Sequence, residues 1–326
     1  MVGINMSIPK AFCTDVNRII DIVEAREIFF SQTKHPRKRL DFRCPDNECR
    51  QAHNPEVLGI NYDKNPQEDD FVQRSHFRLK KGTTHLPTCP WAEISQALDE
   101  LEREIGNKPY LSHLKKSEII NVFNPLSNDE CDTKFTMDID AGFLERIKLI
   151  SDRRERINEL KGYLKNALNS TSRLHEVVHC FKFMTPEEQK AVSLSIPPYG
   201  EKSYRSWFRS SMYCRENEQP LIYYGAANIM EYRTGYSFKF WNKSVQSDQS
   251  NCEVFTFVKR ERISKLRGAK AILDVLERGI GMQMRHRYPV DIFVFGKAVL
   301  TIEKHRLDIH IHSLHSLVVM LTERGA

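Results

Sequence analysis

Two short pairs of metal-binding residue types lie in the first hundred residues of the chain. Cys44 and Cys49 are separated by four residues, and His85 and Cys89 by three. Each pair fits on one short turn that aims both side chains at one point, and four such ligands complete the tetrahedral shell of Zn²⁺. The segment between the pairs is polar, so a metal would replace the core that it lacks. We therefore predict a zinc-binding module over residues 1–92, with Zn²⁺ structural because no ligand position stays open.

The fourth ligand has alternatives in the sequence. His76, in Ser75-His76-Phe77-Arg78, is an alternative to His85, and Cys13 and His53 are less well placed. The chain has eight cysteines in 326 residues, too few for a disulfide scaffold. The competing interpretation is that these thiols are buried near one another without a metal, but the ligand spacing favours zinc.

The same segment resembles the N-terminal zinc-finger-like region of the competence protein CoiA-like family and related mobile-element proteins, over about residues 15–92. The matching residues are Cys44-Pro45, Cys49, His76-Phe77-Arg78-Leu79, His85 and Cys89. The first pair departs from the family pattern, because two additional residues separate its cysteines. The resemblance implies a bacterial mobile-element, DNA-processing or phage-defence setting.

A nuclease-like domain follows this finger in the CoiA-like proteins, and we do not find its motif here. Such a nuclease requires a carboxylate pair plus Asp/Glu-x-Lys on a strand, to hold Mg²⁺ and activate water. Two tripeptides of this form are Asp132-Thr133-Lys134, in an Asp-rich turn, and Glu188-Gln189-Lys190, in a predicted helix. We therefore assign no catalytic residue and expect a protein that is not an enzyme, with a metal-dependent nuclease as an alternative.

Positive charge is concentrated in the C-terminal part of the chain. The net charge of the whole chain is +6, while residues 201–326 contain 20 Lys and Arg against 13 Asp and Glu. This asymmetry is typical of a protein that binds a polyanion, although a solvated basic surface without a partner would show it too. A content of 40% hydrophobic and 28% charged residues excludes a mostly disordered chain.

No membrane partner is expected. The first five residues lack the basic and apolar stretches of a secretory signal. The longest apolar runs, such as residues 316–321, are far too short to cross a bilayer. We therefore expect a cytoplasmic protein.

Helical periodicity dominates the middle of the chain, and we predict a helical domain over residues 93–200. Apolar residues recur at helical spacing over residues 90–105 and 141–169. Thr185-Pro186 has the capping residue and first-turn proline of a helix start. Residues 196–200 contain two prolines and a glycine, which predicts a linker.

The last part of the chain has the element order of an OB-fold. Sequence patterns predict five strands at residues 221–230, 236–241, 252–259, 289–295 and 307–312, and a helix at 263–278. This β-β-β-α-β-β order resembles the OB-fold, a five-stranded Greek-key barrel. A β-sandwich or an α+β sheet shares the same order. We predict an OB-like β-barrel domain over residues 201–326, within an α+β multidomain protein.

Alternation along the predicted strands places aromatic rings on the outside of this barrel. Trp241 is the best stacking candidate, followed by Phe255 and Phe293. Single-stranded nucleic acid requires such rings among cations, because bases stack on the rings and cations contact the phosphates. The predicted nucleic-acid-binding set is Arg233, Lys239, Trp241, Lys243, Lys259, Arg260, Phe293, Lys297, Lys304 and Arg306. The competing interpretation is that these rings pack against the helical domain.

These observations predict a nucleic-acid-binding protein with a structural zinc, and single-stranded DNA is the first polymer to consider. DNA and RNA are not distinguished by the sequence. A protein–protein adaptor in a defence or DNA-transfer complex, with its barrel bound to a partner chain, is the remaining alternative.

Overall fold

The computed structural model describes residues 8, 10–65, 75–105, 119–125, 146–147, 149–168, 170–217, 219–245, 251–265, 269–286, 289–301, 305–311 and 313–321. Lys304 and the tripeptide Asp132-Thr133-Lys134 lie outside the described residues. Among the described helices, none has the length and apolar character that crossing a bilayer requires.

The N-terminal region is built on a five-stranded antiparallel sheet with the order β2-β1-β3-β4-β5. Its strands are β1 (Lys10–Cys13), β2 (Arg18–Asp21), β3 (Phe42–Arg43), β4 (Glu56–Ile60) and β5 (His76–Leu79). Its helices are α1 (Ile22–Phe30), α2 (Asn47–His53) and α3 (Pro90–Ile105). The bounds of α3 agree with the predicted helix. Buried rings fill the sheet's core, where Phe42 packs edge-on against Tyr62 and Phe77.

The middle of the chain, predicted as a helical domain, contains helices together with a sheet of short strands that was not predicted. Strands β6 (Val122–Phe123), β7 (Ser170–Thr171), β8 (Ser193–Ile196) and β9 (Gly200–Ser203) form a sheet of order β7-β6-β8-β9. The helices between them are α4 (Arg153–Leu168), α5 (Leu174–Phe183) and α6 (Pro186–Ala191). Strands of two to four residues are too short to show a two-residue periodicity. Residues 197–199 form the turn of the β8–β9 hairpin, in which Ile196 pairs with Gly200, so this stretch is not a linker.

The C-terminal region begins with α7 (Tyr204–Trp207), β10 (Phe208–Ser210) and a 3₁₀ turn at Ser211–Tyr213. The strands that follow are β11 (Leu221–Tyr232), β12 (Gly235–Phe240), β13 (Ser244–Val245), β14 (Asn251–Lys259), β15 (Val290–Thr301), β16 (Arg306–Ile311) and β17 (Leu317–Met320). Helices α8 (Arg260–Lys265) and α9 (Ala269–His286) lie between β14 and β15, where one helix was predicted.

Five of these strands close into a barrel, as predicted. The order is β11-β12-β14-β16-β15, and β15 pairs again with β11 to close the ring. Closure depends on the length of β11, because its residues 221–227 pair with β15 and its residues 227–232 pair with β12. The β14–β16 pair is parallel and the other pairs of the ring are antiparallel.

Buried side chains form two large hydrophobic cores. One holds the barrel interior together with buried residues of β6, α5, β8 and α7. The other holds the N-terminal sheet together with residues of α3 and α4, and it includes Ala271 of α9. Each core thus draws residues from the middle of the chain. The domain limits at residues 92 and 200 stay predictions.

Candidate metal centre and barrel surface

Three cysteines and one histidine meet beside the N-terminal sheet. Cys44 directly follows β3, and Cys49 lies in the first turn of α2, which Asp46 caps by accepting the backbone N–H of Cys49 (2.7 Å). Cys89 directly precedes α3, and His85 lies one turn earlier. The three thiols are buried, as is required of ligands that build a small local core.

The spacing of the four ligand atoms suits one metal ion. All four lie within 4.8 Å of one another. The Sγ atoms of Cys44 and Cys89 are 3.6 Å apart, and His85 Nδ1 lies 3.4 Å from Cys49 Sγ and 3.8 Å from Cys89 Sγ. A tetrahedral ion with bonds of about 2.3 Å to sulfur separates its ligand atoms by about 3.6–3.8 Å. The residues therefore fit a metal of that size and geometry.

The pKa values of the three cysteines are shifted in different directions. The hydrogen bond between the Cys44 and Cys89 sulfurs lowers the pKa of Cys89 and raises the pKa of Cys44. Cys89 also directly precedes the N-terminus of α3, where the helix dipole favours a thiolate. Burial raises the pKa of Cys49. A cation is the natural compensation for placing several thiolates in one buried cluster.

The structure groups His85, rather than the alternative His76, with the three cysteines. His85 joins the three cysteines, whereas His76 lies on β5 opposite Ile60. Cys13 is buried on β1, and His53 is exposed at the end of α2. The group therefore consists of Cys44, Cys49, His85 and Cys89, the set favoured by the sequence.

Neighbouring groups fix the ligand turns. The backbone N–H of Leu86 donates to Cys49 Sγ at 3.4 Å. The Arg50 guanidinium donates to the carbonyls of Cys44 and Pro45 at 2.9 and 2.8 Å, and it lies 4.1 Å above the Phe12 ring. The contact with Phe12 of β1 attaches the first ligand pair to the sheet. Arg50 is a positioning residue that the sequence motif did not identify.

The second candidate site is the outward face of β11, β12 and β14. Lys239 and Trp241 lie on the outer side of β12, and Lys239 pairs with Phe255 across to β14. Three rings on this face are exposed: Tyr232 by 49%, Trp241 by 50% and Phe257 by 38%. The indole N–H of Trp241 donates to Asn228 Oδ1 at 2.7 Å, which holds the ring against the strands. We refer to the outward side chains of these three strands as the strand face.

Several predicted phosphate contacts already have acidic partners. Lys239 Nζ lies 2.6 Å from Glu253, Arg260 pairs with Glu231, and Arg306 pairs with Asp308. The hydrogen bond from Lys239 lowers the pKa of Glu253, so this carboxylate stays charged. Among the described residues, no ion-pair partner is found for four exposed cations: Arg233, Lys243, Lys259 and Lys297. These four are the cations of the predicted set that remain available.

Two of the predicted aromatic contacts are corrected. Phe293 is only 8% exposed, because Phe208 and Tyr224 pack against its ring at 6.4 and 5.8 Å between centroids. Phe255 is also 8% exposed, with the guanidinium of Arg306 4.1 Å from its ring centroid. Tyr232 and Phe257 are the exposed rings that sequence reasoning missed. The alternation that selected Trp241 also places Phe257 on the outer side of β14.

No protein-family model matches the chain, and no curated protein or solved structure is similar enough to count as a match.

Proposed function

We propose that this chain is a zinc-stabilised protein that binds single-stranded nucleic acid and is not an enzyme. The observation that carries this proposal is the strand face, where Tyr232, Trp241 and Phe257 expose their rings. Lys259 is the last residue of β14 and Lys243 follows β12 by three residues, and both are exposed. No ion pair to a described carboxylate is found for either, while Lys243 is close enough to Glu253 to contribute to lowering its pKa. Rings for stacking beside cations for phosphates are what sequence-tolerant binding of single strands requires.

The proposal assigns the barrel to the OB-fold class. Its support is the β-β-β-α-β-β order together with the closed five-stranded ring. In OB-folds the second and third strands present the oligonucleotide-binding face. Those strands are β12 and β14 here. Trp241 directly follows β12, and Phe257 lies on β14.

The length of the strand face suits a short stretch of nucleotides. Tyr232 lies opposite Gly235 at the start of β12, and Trp241 directly follows the end of β12. Six residue steps along a strand span about 20 Å. That span suits the lower end of the roughly 4–16 nucleotides that one OB-fold covers.

We assign zinc to the Cys44, Cys49, His85 and Cys89 group. Three thiolates and one imidazole at tetrahedral spacing are typical of structural Zn²⁺ sites. With four protein ligands, the ion would stabilise the fold of the N-terminal region. The resemblance of residues 15–92 to the CoiA-like family supports a bacterial mobile-element, DNA-processing or phage-defence setting.

A protein adaptor is the second candidate function. It is favoured by the carboxylates of Glu231, Glu253 and Asp308, which neutralise three cations on and around the strand face. The nuclease alternative has less support in the described residues. The Glu188 carboxylate of its second tripeptide accepts the Thr185 N–H at 2.8 Å and completes the capping box of α6.

The decisive experiment is a filter-binding titration of the full chain across salt concentrations, with single-stranded DNA, single-stranded RNA and duplex DNA. With four available cations, we expect the logarithm of the binding constant to fall with the logarithm of salt at a slope of about −3. Single strands should bind more tightly than the duplex. Absence of salt-dependent binding to every polymer would overturn the proposal and favour the adaptor. Mg²⁺-dependent cleavage of any polymer would favour the nuclease.

A further inference from the structure

A cavity of about 380 Å³ opens beside β10, outside the barrel ring. Its lining includes Arg205, Arg209, Ser210, Tyr213, Arg215 and Tyr224. This volume falls within the range of small-molecule sites. Three arginines are among the lining residues, and no described carboxylate lines this cavity.

The local fold explains why the arginines converge. Arg205 lies on α7, Arg209 on β10 and Arg215 just after the 3₁₀ turn, so one compact helix–strand–turn segment carries all three. Two buried side chains attach this segment to the preceding part of the chain. The Trp207 indole donates to the Leu194 carbonyl at 2.8 Å, and the Tyr204 hydroxyl donates to the Ile120 carbonyl at 2.6 Å. The cavity is therefore held by a firmly packed scaffold.

The charge of the cavity lacks compensation. In the described part of the chain, no carboxylate lies within ion-pair distance of Arg205, Arg209 or Arg215. The cations Lys239, Arg260 and Arg306 of the barrel all have such partners. Like charges held together repel one another, and an anionic ligand relieves that repulsion.

We propose that this cavity binds the phosphate monoester of a nucleotide. Guanidinium groups match phosphate oxygens in paired, charge-assisted hydrogen bonds, and a monoester carries close to two negative charges. The Tyr213 ring, 63% exposed at the cavity, offers a surface on which the base stacks. Arg209 also lines an adjoining cavity of about 530 Å³, together with Lys202 and the acidic Glu216. Ser206, Asn217 and Gln219 of the same lining carry hydrogen-bonding groups suited to a sugar or base edge.

The cavity lies next to the strand face along β11. Ser210 of β10 pairs with Tyr224 of β11, and the backbone N–H of Trp241 donates to the Ala226 carbonyl of β11 at 2.9 Å. Two residue steps along β11 correspond to about 7 Å. The phosphate monoester can therefore come from a free mononucleotide or from the phosphorylated end of a strand held at Trp241. Because the cavity has its own contacts for a free nucleotide, this inference does not depend on the proposed function.

Calorimetric titration of the full chain with each of the four ribonucleoside 5′-monophosphates, and with the matching nucleosides, tests the proposal. We expect at least one monophosphate to bind about tenfold more tightly than its nucleoside. Arg209→Gln and Arg215→Gln should each weaken that binding about tenfold, while Arg154→Gln, at an exposed position of α4, changes it less than twofold. Arg215 is exposed, so its variant is expected to keep the fold, which a thermal melt verifies.

The proposal is overturned if no monophosphate binds more tightly than its nucleoside, or if both arginine variants bind like the wild type. An oligonucleotide with a 5′-phosphate and the same sequence with a 5′-hydroxyl distinguish the two sources. A preference for the 5′-phosphate that Arg209→Gln removes identifies a strand end as ligand, and equal binding of the two identifies the free nucleotide. Failure of all oligonucleotides with mononucleotide binding retained would refute the proposed function alone.

Discussion

Cys44 and Cys89 bring their sulfur atoms within 3.6 Å of each other, so their contribution to metal binding is directly testable. We expect Cys44→Ser and Cys89→Ser to abolish stoichiometric zinc, because a hydroxyl is a poor substitute for a thiolate ligand. Elemental analysis of the purified chain measures this. Cys13→Ala, a change at a buried cysteine outside the group, should retain the metal. Unchanged zinc content in the two serine variants would contradict the ligand assignment.

Trp241 is the exposed ring best placed for stacking, because its indole N–H is already fixed on Asn228. Trp241→Ala should weaken oligonucleotide binding by about 1–3 kcal/mol, the range for loss of one base–aromatic stack. Fluorescence anisotropy with a labelled single strand measures the change. Met284→Ala, at an exposed apolar side chain of α9, is the matched control and should have no effect. Equal affinities for wild type and Trp241→Ala would exclude stacking at this ring.

Glu253 distinguishes a nucleic-acid partner from a protein partner. Its carboxylate neutralises Lys239 at 2.6 Å on the strand face. Glu253→Gln removes a negative charge and releases a cation, so binding of single strands should strengthen about fivefold. The salt slope should become steeper by about 0.7. Glu201→Gln, at an exposed position of β9, is the control and should leave binding unchanged. Weaker binding of single strands by the Glu253 variant would argue for the adaptor.

At the scale of elements, the β12–β14 pair leaves no room for a side chain at Gly235. A Cβ there would lie 2.0 Å from the Val258 carbonyl oxygen and 2.9 Å from the Phe257 ring. Gly235→Ala should therefore lower the free energy of unfolding by about 3 kcal/mol, near the upper end of overpacking costs. Denaturant unfolding measures this difference.

Gly281 provides a control for which the free energy of unfolding is expected to change in the opposite direction. It lies in α9, and a Cβ there would have no neighbour within 4 Å. Gly281→Ala should raise the free energy of unfolding by about 0.5–1 kcal/mol, because alanine favours the helix. Destabilisation by both substitutions would mean that the close strand approach is not the cause of the Gly235 effect.

At the scale of the whole molecule, the N-terminal core touches the barrel region through α9. Arg37 pairs with Asp274 at 3.0 Å, and the Asn65 side chain donates to the Ala271 carbonyl at 3.0 Å. Ala271 is itself a member of the N-terminal core. Loss of the metal should thus affect the N-terminal sheet and this side of α9, and leave the barrel interior intact.

Hydrogen exchange after treatment with a chelator tests this expectation. We expect faster exchange in β3, β4 and around Ala271, and unchanged protection in β11 and β15, which lie in the separate core. Readdition of zinc should restore the protection. Uniform loss of protection over both cores would show that they unfold as one cooperative unit.

Much of the architecture is predictable from local sequence patterns. The residue spacing predicted the Cys/His group, the Thr185 capping box marked the start of α6, and β-rich runs bounded by turn residues located all five barrel strands. These features depend on residues close in sequence, so their signal is present before the chain folds.

Only the tertiary structure decided which rings and charges remain accessible. Alternation placed Phe293 on the outside of its strand, but Phe208 and Tyr224 cover it. The sequence predicted Lys239 and Arg306 to be available cations, whereas in the folded chain they form ion pairs with Glu253 and Asp308. The arginine cavity likewise requires β10 to pair with β11. A periodic pattern shows which way a side chain points, whereas the segment that covers or neutralises it comes from elsewhere in the chain.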